Sequence, residues 1–165
     1  RRRHTRFRNV TGVQTCALPI LIMSTTIRHI FTLHIQSSLK SIRRLSAFLK
    51  KANTVINLSE NDFYRLHLCA TEAVNNAILH GNNLDEKKVV EIRCEVKKTV
   101  LILSVSDFGN GFIVNAIPNP LRGKNKLKSG GRGIFLMKAL MDSIESRRTK
   151  TGSVTILKMR LRKEV

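Results

Sequence analysis

The sequence is poor in aromatic and acidic residues. It contains no Trp, one Tyr and seven Phe, so a hydrophobic core has to be built mainly from Leu, Ile and Val. Its 11 Asp and Glu are outnumbered by 30 Lys and Arg, which gives a formal net charge of +19. Such an excess indicates a partner that carries negative charge, but charge alone does not distinguish nucleic acid, membrane surface, nucleotide and acidic protein.

Cysteines are also few, and their spacing indicates neither a metal site nor a disulfide. Cys16, Cys69 and Cys94 show no metal-ligand spacing and no pairing pattern, so core packing is the expected role of Cys69 and Cys94. A reducing cytoplasm is the location that fits this usage. With 165 residues, 42% of them hydrophobic, the chain is long enough for one domain with a real core and too short for two.

Residues 1–23 differ in composition from the rest of the chain. They contain five Arg and no acidic residue, and the first Met is Met23. Their short apolar run contains Pro19 and is not followed by a small-residue cleavage site, which disfavours a secretory signal. The run is also too short to span a bilayer, so no membrane partner is expected. We therefore expect residues 1–23 to be a non-native or disordered basic extension and residues 24–165 to form the folded domain.

Hydrophobic periodicity predicts an α+β two-layer sandwich with one mixed sheet and helices on one face. The predicted elements, in order, are strand 31–36, helices 39–51 and 60–80, strands 89–96 and 100–105, helix 133–142, and strands 143–149 and 153–162. Segment 113–131 contains two Pro and is too long for an ordinary connection, so it is predicted to be a lid.

A first block of polar residues lies on the second predicted helix. Glu72, Asn76 and His80 are spaced four residues apart, which places them on one side of that helix. The amide oxygen of an Asn can ligate Mg²⁺, and a Glu one turn away can accept a proton or hold a metal-bound water. A solvated helix face, with a structural histidine near the helix end, is the alternative interpretation of this block taken alone.

A second block follows the strand over residues 100–105. Asp107 is followed by Gly109 and Gly111, so a carboxylate at the strand end lies beside backbone that can approach a flat ligand closely. A buried carboxylate accepts well from an exocyclic amine such as N6 of adenine. A glycine-rich turn capped by the aspartate is the alternative for this block by itself.

A third block begins the helix over residues 133–142. Gly131, Arg132 and Gly133 place backbone N–H groups at a helix start, where they can bind phosphate. No Gly-Lys-Ser/Thr follows and no parallel strand-turn-helix unit surrounds the block, which excludes a Walker A loop and a dinucleotide fingerprint. The basic residues before it could close over phosphates or form a solvated charged loop: Arg122, Lys124, Lys126 and Lys128.

The three blocks in this order resemble the N, G1 and G2 boxes of the gyrase and histidine-kinase ATPase superfamily, whose ATP-binding domain has the Bergerat fold. Within that superfamily, residues 71–82 and 130–142 look most like the anti-sigma factor serine/threonine kinases of bacteria. The resemblance covers residues 25–163, and the three boxes are its specific part.

The resemblance implies ATP and Mg²⁺ as cofactors. It implies that Glu72 is the general base, Asn76 the Mg²⁺ ligand and Asp107 the residue that binds adenine. The other cofactor-binding positions that it implies are Gly109, Gly111, Gly131, Arg132 and Gly133. The family often has a Thr after a Gly in its last strand near the adenine, and here both Ser153 and Thr155 are candidates for that role.

The function implied by the resemblance is that of a protein serine/threonine kinase. Its phosphoacceptor would be a small antagonist protein, and its further partner a sigma factor or similar target that it sequesters. The alternative is an ATP-gated interaction module with little or no catalysis. A histidine kinase is disfavoured because only one helix is predicted between residues 38 and 58, and a nucleic-acid binder because no recognisable module is present. Relatives dimerise, so a homodimer is also implied.

Overall fold

The computed structural model describes residues 29–112 and 132–161 of the chain. The predicted segments 1–23 and 113–131 lie outside these ranges. The second of them includes the predicted phosphate-binding residue Gly131. In chain order the described elements are β1 (Ile30–Gln36), a 3-10 turn (Leu39–Ile42), α1 (Arg43–Ile56), α2 (Glu60–Asn76), a π-helical turn (Ala77–Gly81), β2 (Val89–Lys97), β3 (Val100–Asp107), α3 (Arg132–Leu140), β4 (Ser143–Arg148) and β5 (Ser153–Arg160).

The predicted strands and helices are confirmed, with differences at their ends. The first helix continues beyond the predicted residue 51 because Ala52 and Ile56 prolong its apolar stripe. It ends where Asn57 adopts a left-handed conformation with φ of 55°, a common way for a helix to stop. The second helix begins as predicted at Ser59, whose side chain accepts a hydrogen bond from the backbone N–H of Asp62.

The sheet is antiparallel throughout the described strands, so the prediction of a mixed sheet was wrong. Its strand order is β1-β2-β3-β5-β4, and each of the four neighbouring pairs is antiparallel. Strands β3 and β4, which α3 connects, do run in the same direction. They are not neighbours, however, because β5 lies between them and is antiparallel to both.

The two-layer arrangement of the α+β fold is confirmed. Alternate residues of the three central strands are buried on one face, and these are Val90, Ile92, Cys94, Leu101, Leu103, Val105, Leu157 and Met159. They pack in one cluster with buried side chains from all three helices, among them Leu49 of α1, Leu66 of α2 and Met137 of α3. The opposite face of the sheet is mainly polar, since Glu91, Arg93 and Ser104 lie there.

Helix α2 packs closely on the sheet because its inner face is made of small residues. Cys69, Ala70 and Ala73 are almost completely buried. Burial raises the pKa of the Cys69 thiol to about 11 and that of the Cys94 thiol to about 12. Both thiols are therefore protonated and unreactive at neutral pH, which confirms their predicted role in core packing. Across residues 29–112 and 132–161, no helix has the length and apolar character needed to cross a membrane.

The packing face of β3 is tested by two adjacent substitutions. Leu103→Ala removes a fully buried side chain beneath the helices, and we expect it to lower the free energy of unfolding by about 3 kcal/mol. Ser104→Ala, on the opposite face, is expected to change it by less than about 1 kcal/mol. Urea denaturation followed by circular dichroism measures both values. Equal destabilisation by the two variants would contradict the assignment of the faces.

Candidate functional site

A cavity of about 610 Å³ opens where α2, the ends of β3 and β5, and the start of α3 meet. It brings together residues from all three sequence blocks, namely Glu72, Asn76, His80, Asp107, Gly109, Gly111 and Gly133. Arg132 is exposed at the first position of α3 and does not line the cavity. Gly131 lies outside the described residues.

The last turn of the second helix is wound more widely than the rest. Between Ala77 and Gly81 the chain forms a π-helical turn, in which the backbone N–H of Asn82 donates to the carbonyl of Ala77 at 2.7 Å. Turns of this kind are rare and occur frequently at functional sites. The turn brings Gly81 against the side chain of Asp107, so the end of the helix and the end of β3 form one wall of the cavity.

The absence of side chains at two glycines makes this close approach possible. A Cβ atom added to Gly81 would lie 2.4 Å from Cγ of Asp107, and one added to Gly109 would lie 2.6 Å from Cα of Gly81. Neither position has room for a methyl group without movement of the backbone or of the carboxylate. The absence of a side chain at Gly109 thus lets its backbone lie close to the backbone of Gly81.

One carboxylate oxygen of Asp107 is held by the protein. Oδ1 accepts hydrogen bonds from the backbone N–H of Gly109 at 2.7 Å and from Oγ of Ser153 at 2.8 Å. Within the described residues no hydrogen bond to the protein ends on Oδ2. The carboxylate is thus held through one oxygen, and Asp107 lines the cavity.

The register of the sheet shows which of Ser153 and Thr155 lies beside Asp107. Ser153 lies directly opposite Asp107 in the β3–β5 pair, whereas Thr155 lies opposite Val105. Both side chains line the cavity and both are almost fully buried. The hydroxyl that contacts Asp107 is that of Ser153.

Asn82 supports the same turn, and no role was assigned to it from the sequence. Its side chain is fully buried. Oδ1 accepts from the backbone N–H of Phe108 at 2.8 Å, and Nδ2 donates to Oγ of Ser37 at 2.5 Å and to the carbonyl of Val89 at 3.3 Å. Asn82 therefore ties the turn after Asp107 to the adjoining ends of β1 and β2. Its role depends on the contact between Gly81 and Asp107, which the sequence alone does not show.

At the other end of the cavity, the first turn of α3 lies against Glu72. A Cβ atom on Gly133 would be 2.3 Å from Oε2 of Glu72, so only a glycine leaves space for the carboxylate there. The start of a helix is a favourable place for an anion because its first backbone N–H groups have no partner within the helix. In this structure the negatively charged group beside the first turn of α3 is the carboxylate of Glu72 itself.

Asn76 fits the predicted role of a Mg²⁺ ligand. Its Nδ2 atom is buried and has no hydrogen-bond partner among the described residues, and the residue lines the cavity. Rotation of the amide can present either its oxygen or its nitrogen to the cavity, and the oxygen is a suitable ligand for Mg²⁺. In residues 29–112 and 132–161, no three His, Cys, Asp or Glu side chains are grouped to hold a metal. Mg²⁺ usually takes few ligands from protein and the rest from phosphate and water, which is compatible with this site.

Comparison with known proteins identifies the family. Residues 35–160 match the histidine kinase-like ATPase domain, and the chain therefore belongs to this family. The anti-sigma F factor of Clostridium perfringens (strain SM101 / Type A) is 31% identical over 120 residues, which are 71% of this chain and 83% of that protein. The serine-protein kinase RsbW of Oceanobacillus iheyensis is 29% identical over 86 residues, 48% of this chain and 54% of that protein.

A solved structure shows the same fold. The crystal structure of the RsbU and RsbW domains of Rv1364c from Mycobacterium tuberculosis superposes with a TM-score of 0.60 at 18% identity. The match covers 81% of this chain and 32% of that chain, so this chain spans about a third of the solved protein. Together with the curated relatives, this confirms the predicted resemblance to anti-sigma factor kinases within the histidine-kinase ATPase superfamily.

The role of the serine is tested by comparing the two hydroxyl residues of β5. Ser153→Ala removes a hydrogen bond to the carboxylate of Asp107, and we expect affinity for ATP to fall about tenfold, since hydrogen bonds to charged groups contribute about 1.5–3 kcal/mol. Thr155→Val is the matched control, and a change of less than about threefold is expected. Calorimetric titration with Mg·ATP measures both affinities. A larger loss in Thr155→Val than in Ser153→Ala would contradict the assignment.

Proposed function

We propose that this chain binds Mg·ATP and transfers the γ-phosphoryl group to a Ser or Thr hydroxyl of a small antagonist protein. We further propose that it sequesters a sigma factor or a similar target when that antagonist is phosphorylated. The observation that supports catalysis most strongly is the position of Glu72, a carboxylate on the cavity wall against the first turn of α3. The assignment of sigma-factor and antagonist partners is supported by the names of the relatives.

Recognition of adenine is assigned to Asp107. Its Oδ2 atom would accept a hydrogen bond from the N6 amine, while Oδ1 stays bound to Gly109 and Ser153. A purine ring is flat, and Gly109 and Gly111 line this side of the cavity together with the aromatic side chains of Phe108 and Phe112. A guanine base would present a carbonyl oxygen instead of the amine at the same position, so the carboxylate favours adenine.

Phosphoryl transfer is assigned to the opposite end of the cavity. The incoming hydroxyl attacks the γ-phosphorus in line with the leaving β-phosphate oxygen, Glu72 accepts the hydroxyl proton, and ADP departs. Backbone N–H groups at the start of α3, including that of Gly133, would bind the transferring group. A magnesium ion bound through Asn76 would neutralise part of the charge on the triphosphate.

The phosphoacceptor is expected to be an acidic or negatively charged protein surface. Of the net charge of +19, five units come from the Arg of residues 1–23, and the remaining +14 favours such a partner. The relatives are an anti-sigma factor and a serine-protein kinase by name. A homodimer, which follows from the resemblance, and a cytoplasmic location, which follows from the cysteine usage, are part of the same proposal.

The assignment of the general base is tested by Glu72→Gln. We expect phosphorylation of the antagonist to fall at least a hundredfold, because positioned general bases contribute about 10²- to 10⁴-fold to rates. The affinity for Mg·ATP should stay within about threefold of wild type, since the adenine end is unchanged. Transfer from γ-labelled ATP gives the rate, and calorimetry gives the affinity.

Glu60→Gln is the control for this experiment. Glu60 is an exposed carboxylate at the start of the same helix, and its replacement should leave the rate unchanged. Unchanged transfer in Glu72→Gln would reject the assigned base. Tight ATP binding without transfer by the wild-type chain, to any antagonist encoded beside it, would instead support the ATP-gated interaction module.

A further inference from the structure

Helix α3, which forms the phosphate end of the cavity, packs on the core through Met137 and the partly buried Ile134 and Leu140. Of its nine residues from Arg132 to Leu140, only Met137 is fully buried. Hydrophobic packing limits how far a short helix can separate from its neighbour. Because hydrophobic contacts are non-directional, they fix the position of the helix along the neighbour's axis only weakly. A directional contact is therefore needed to define where the first turn of α3 lies.

Arg65 of α2 provides such a contact at the far end of α3. Its Nε atom donates to the carbonyl of Leu140 at 3.1 Å, and Nη2 donates to the same oxygen. Its Nη1 atom donates to Oδ1 of Asp62 at 2.8 Å, one turn earlier on α2. The guanidinium is about one-fifth exposed, so its position is defined by three hydrogen bonds in a largely enclosed setting.

The carbonyl of Leu140 is a favourable target for a cation. As the last residue of α3, it is among the residues whose carbonyls have no partner within the helix, and it lies at the negative end of the helix dipole. A guanidinium has donors in a fixed, planar arrangement, so it restricts the direction of the carbonyl more than an ammonium would. The ion pair with Asp62 restricts the guanidinium itself.

The same helix α2 also carries Glu72, two turns beyond Arg65 on the same side. The first turn of α3 lies at Glu72 and its last residue at Arg65, so the two helices run antiparallel and touch at both ends. Arg65 and Glu72 are seven residues apart on α2, and Gly133 and Leu140 are seven residues apart on α3, so both spans rise about 10 Å. The contact at Leu140 therefore sets the distance between Glu72 and the start of α3 through two rigid helices.

We propose that Arg65 is a positioning residue for the phosphate end of the site: by holding the carbonyl of Leu140, it fixes the first turn of α3 against Glu72, where the terminal phosphate of a nucleoside triphosphate binds. This inference rests on the proposed function. It goes beyond it because Arg65 does not line the cavity and would act only through α3. The base end is built from α2, β3 and β5, so loss of Arg65 should leave adenine recognition intact.

The test compares the affinities of the chain for ADP and for a non-hydrolysable ATP analogue, both with Mg²⁺, by calorimetry. In Arg65→Met, we expect the preference for the triphosphate over ADP to fall about tenfold, while the affinity for ADP stays within about twofold of wild type. Arg65→Lys keeps the charge and can make one of the bonds to Leu140, so it should recover part of the preference. Phosphoryl transfer should fall in parallel with the preference for the triphosphate.

Arg93→Met is the matched control. It removes an arginine that forms an ion pair with Glu95 on the opposite face of the sheet, and it should lower thermal stability without changing the preference. An unchanged preference in Arg65→Met would reject the positioning role, whether or not the melting temperature falls. A parallel loss of ADP and triphosphate affinity in both Arg65 variants would also reject it. Absence of all nucleotide binding in wild type would instead reject the proposed function itself.

Discussion

The close contact between the end of α2 and the end of β3 is the constraint on which the rest of the site depends. Gly81 and Gly109 have no side chains, so the π-helical turn and the turn after β3 touch through backbone and leave space only for the carboxylate of Asp107. Ser153 and the backbone of Gly109 then hold one oxygen of that carboxylate. A larger residue at either glycine would displace the carboxylate of Asp107 or the backbone beside it.

The two ends of the cavity are held in physically different ways. The base end belongs to the sheet, where ladder hydrogen bonds and the buried side chain of Asn82 fix the turn after β3. The proposed phosphate end belongs to α3, where Met137 is fully buried, Ile134 and Leu140 are partly buried, and Arg65 donates to the carbonyl of Leu140. On this proposal, binding of the base depends on the sheet, and binding of the phosphates depends on how α3 is held.

Much of the fold was predictable because local pattern reports which side of an element faces the core. Alternation in β2 and β3 and the small residues of α2 gave the elements and the two layers. The same patterns do not report which strands are neighbours, so β5 was not expected between β3 and β4, and the sheet was wrongly expected to be mixed. Strand order depends on contacts between distant parts of the chain, which periodicity within one element does not contain.

In the candidate site, too, residue type and spacing were predictable, whereas contacts between distant parts of the chain were not. Glu72, Asn76 and Asp107 were predicted from residue type and spacing, and the structure brings them to one cavity. The choice of Ser153 over Thr155 needed the register between β3 and β5. Arg65 was not predicted because an arginine on a helix resembles any solvated surface residue until its partner is known. The roles of these residues in binding and catalysis stay predictions, and Gly131 lies outside the described residues.

The most direct test of the central claim is calorimetric titration of Mg·ATP and Mg·GTP into the wild-type chain and into Asp107→Asn. Asparagine keeps an oxygen for the bonds from Gly109 and Ser153, but it places an amide nitrogen where Oδ2 would meet the adenine N6 amine. We expect the wild-type chain to bind one ATP with a clear preference for ATP over GTP, and we expect Asp107→Asn to lose that preference. No measurable heat from ATP at millimolar concentration with folded wild-type protein, or an unchanged preference in Asp107→Asn, would contradict it.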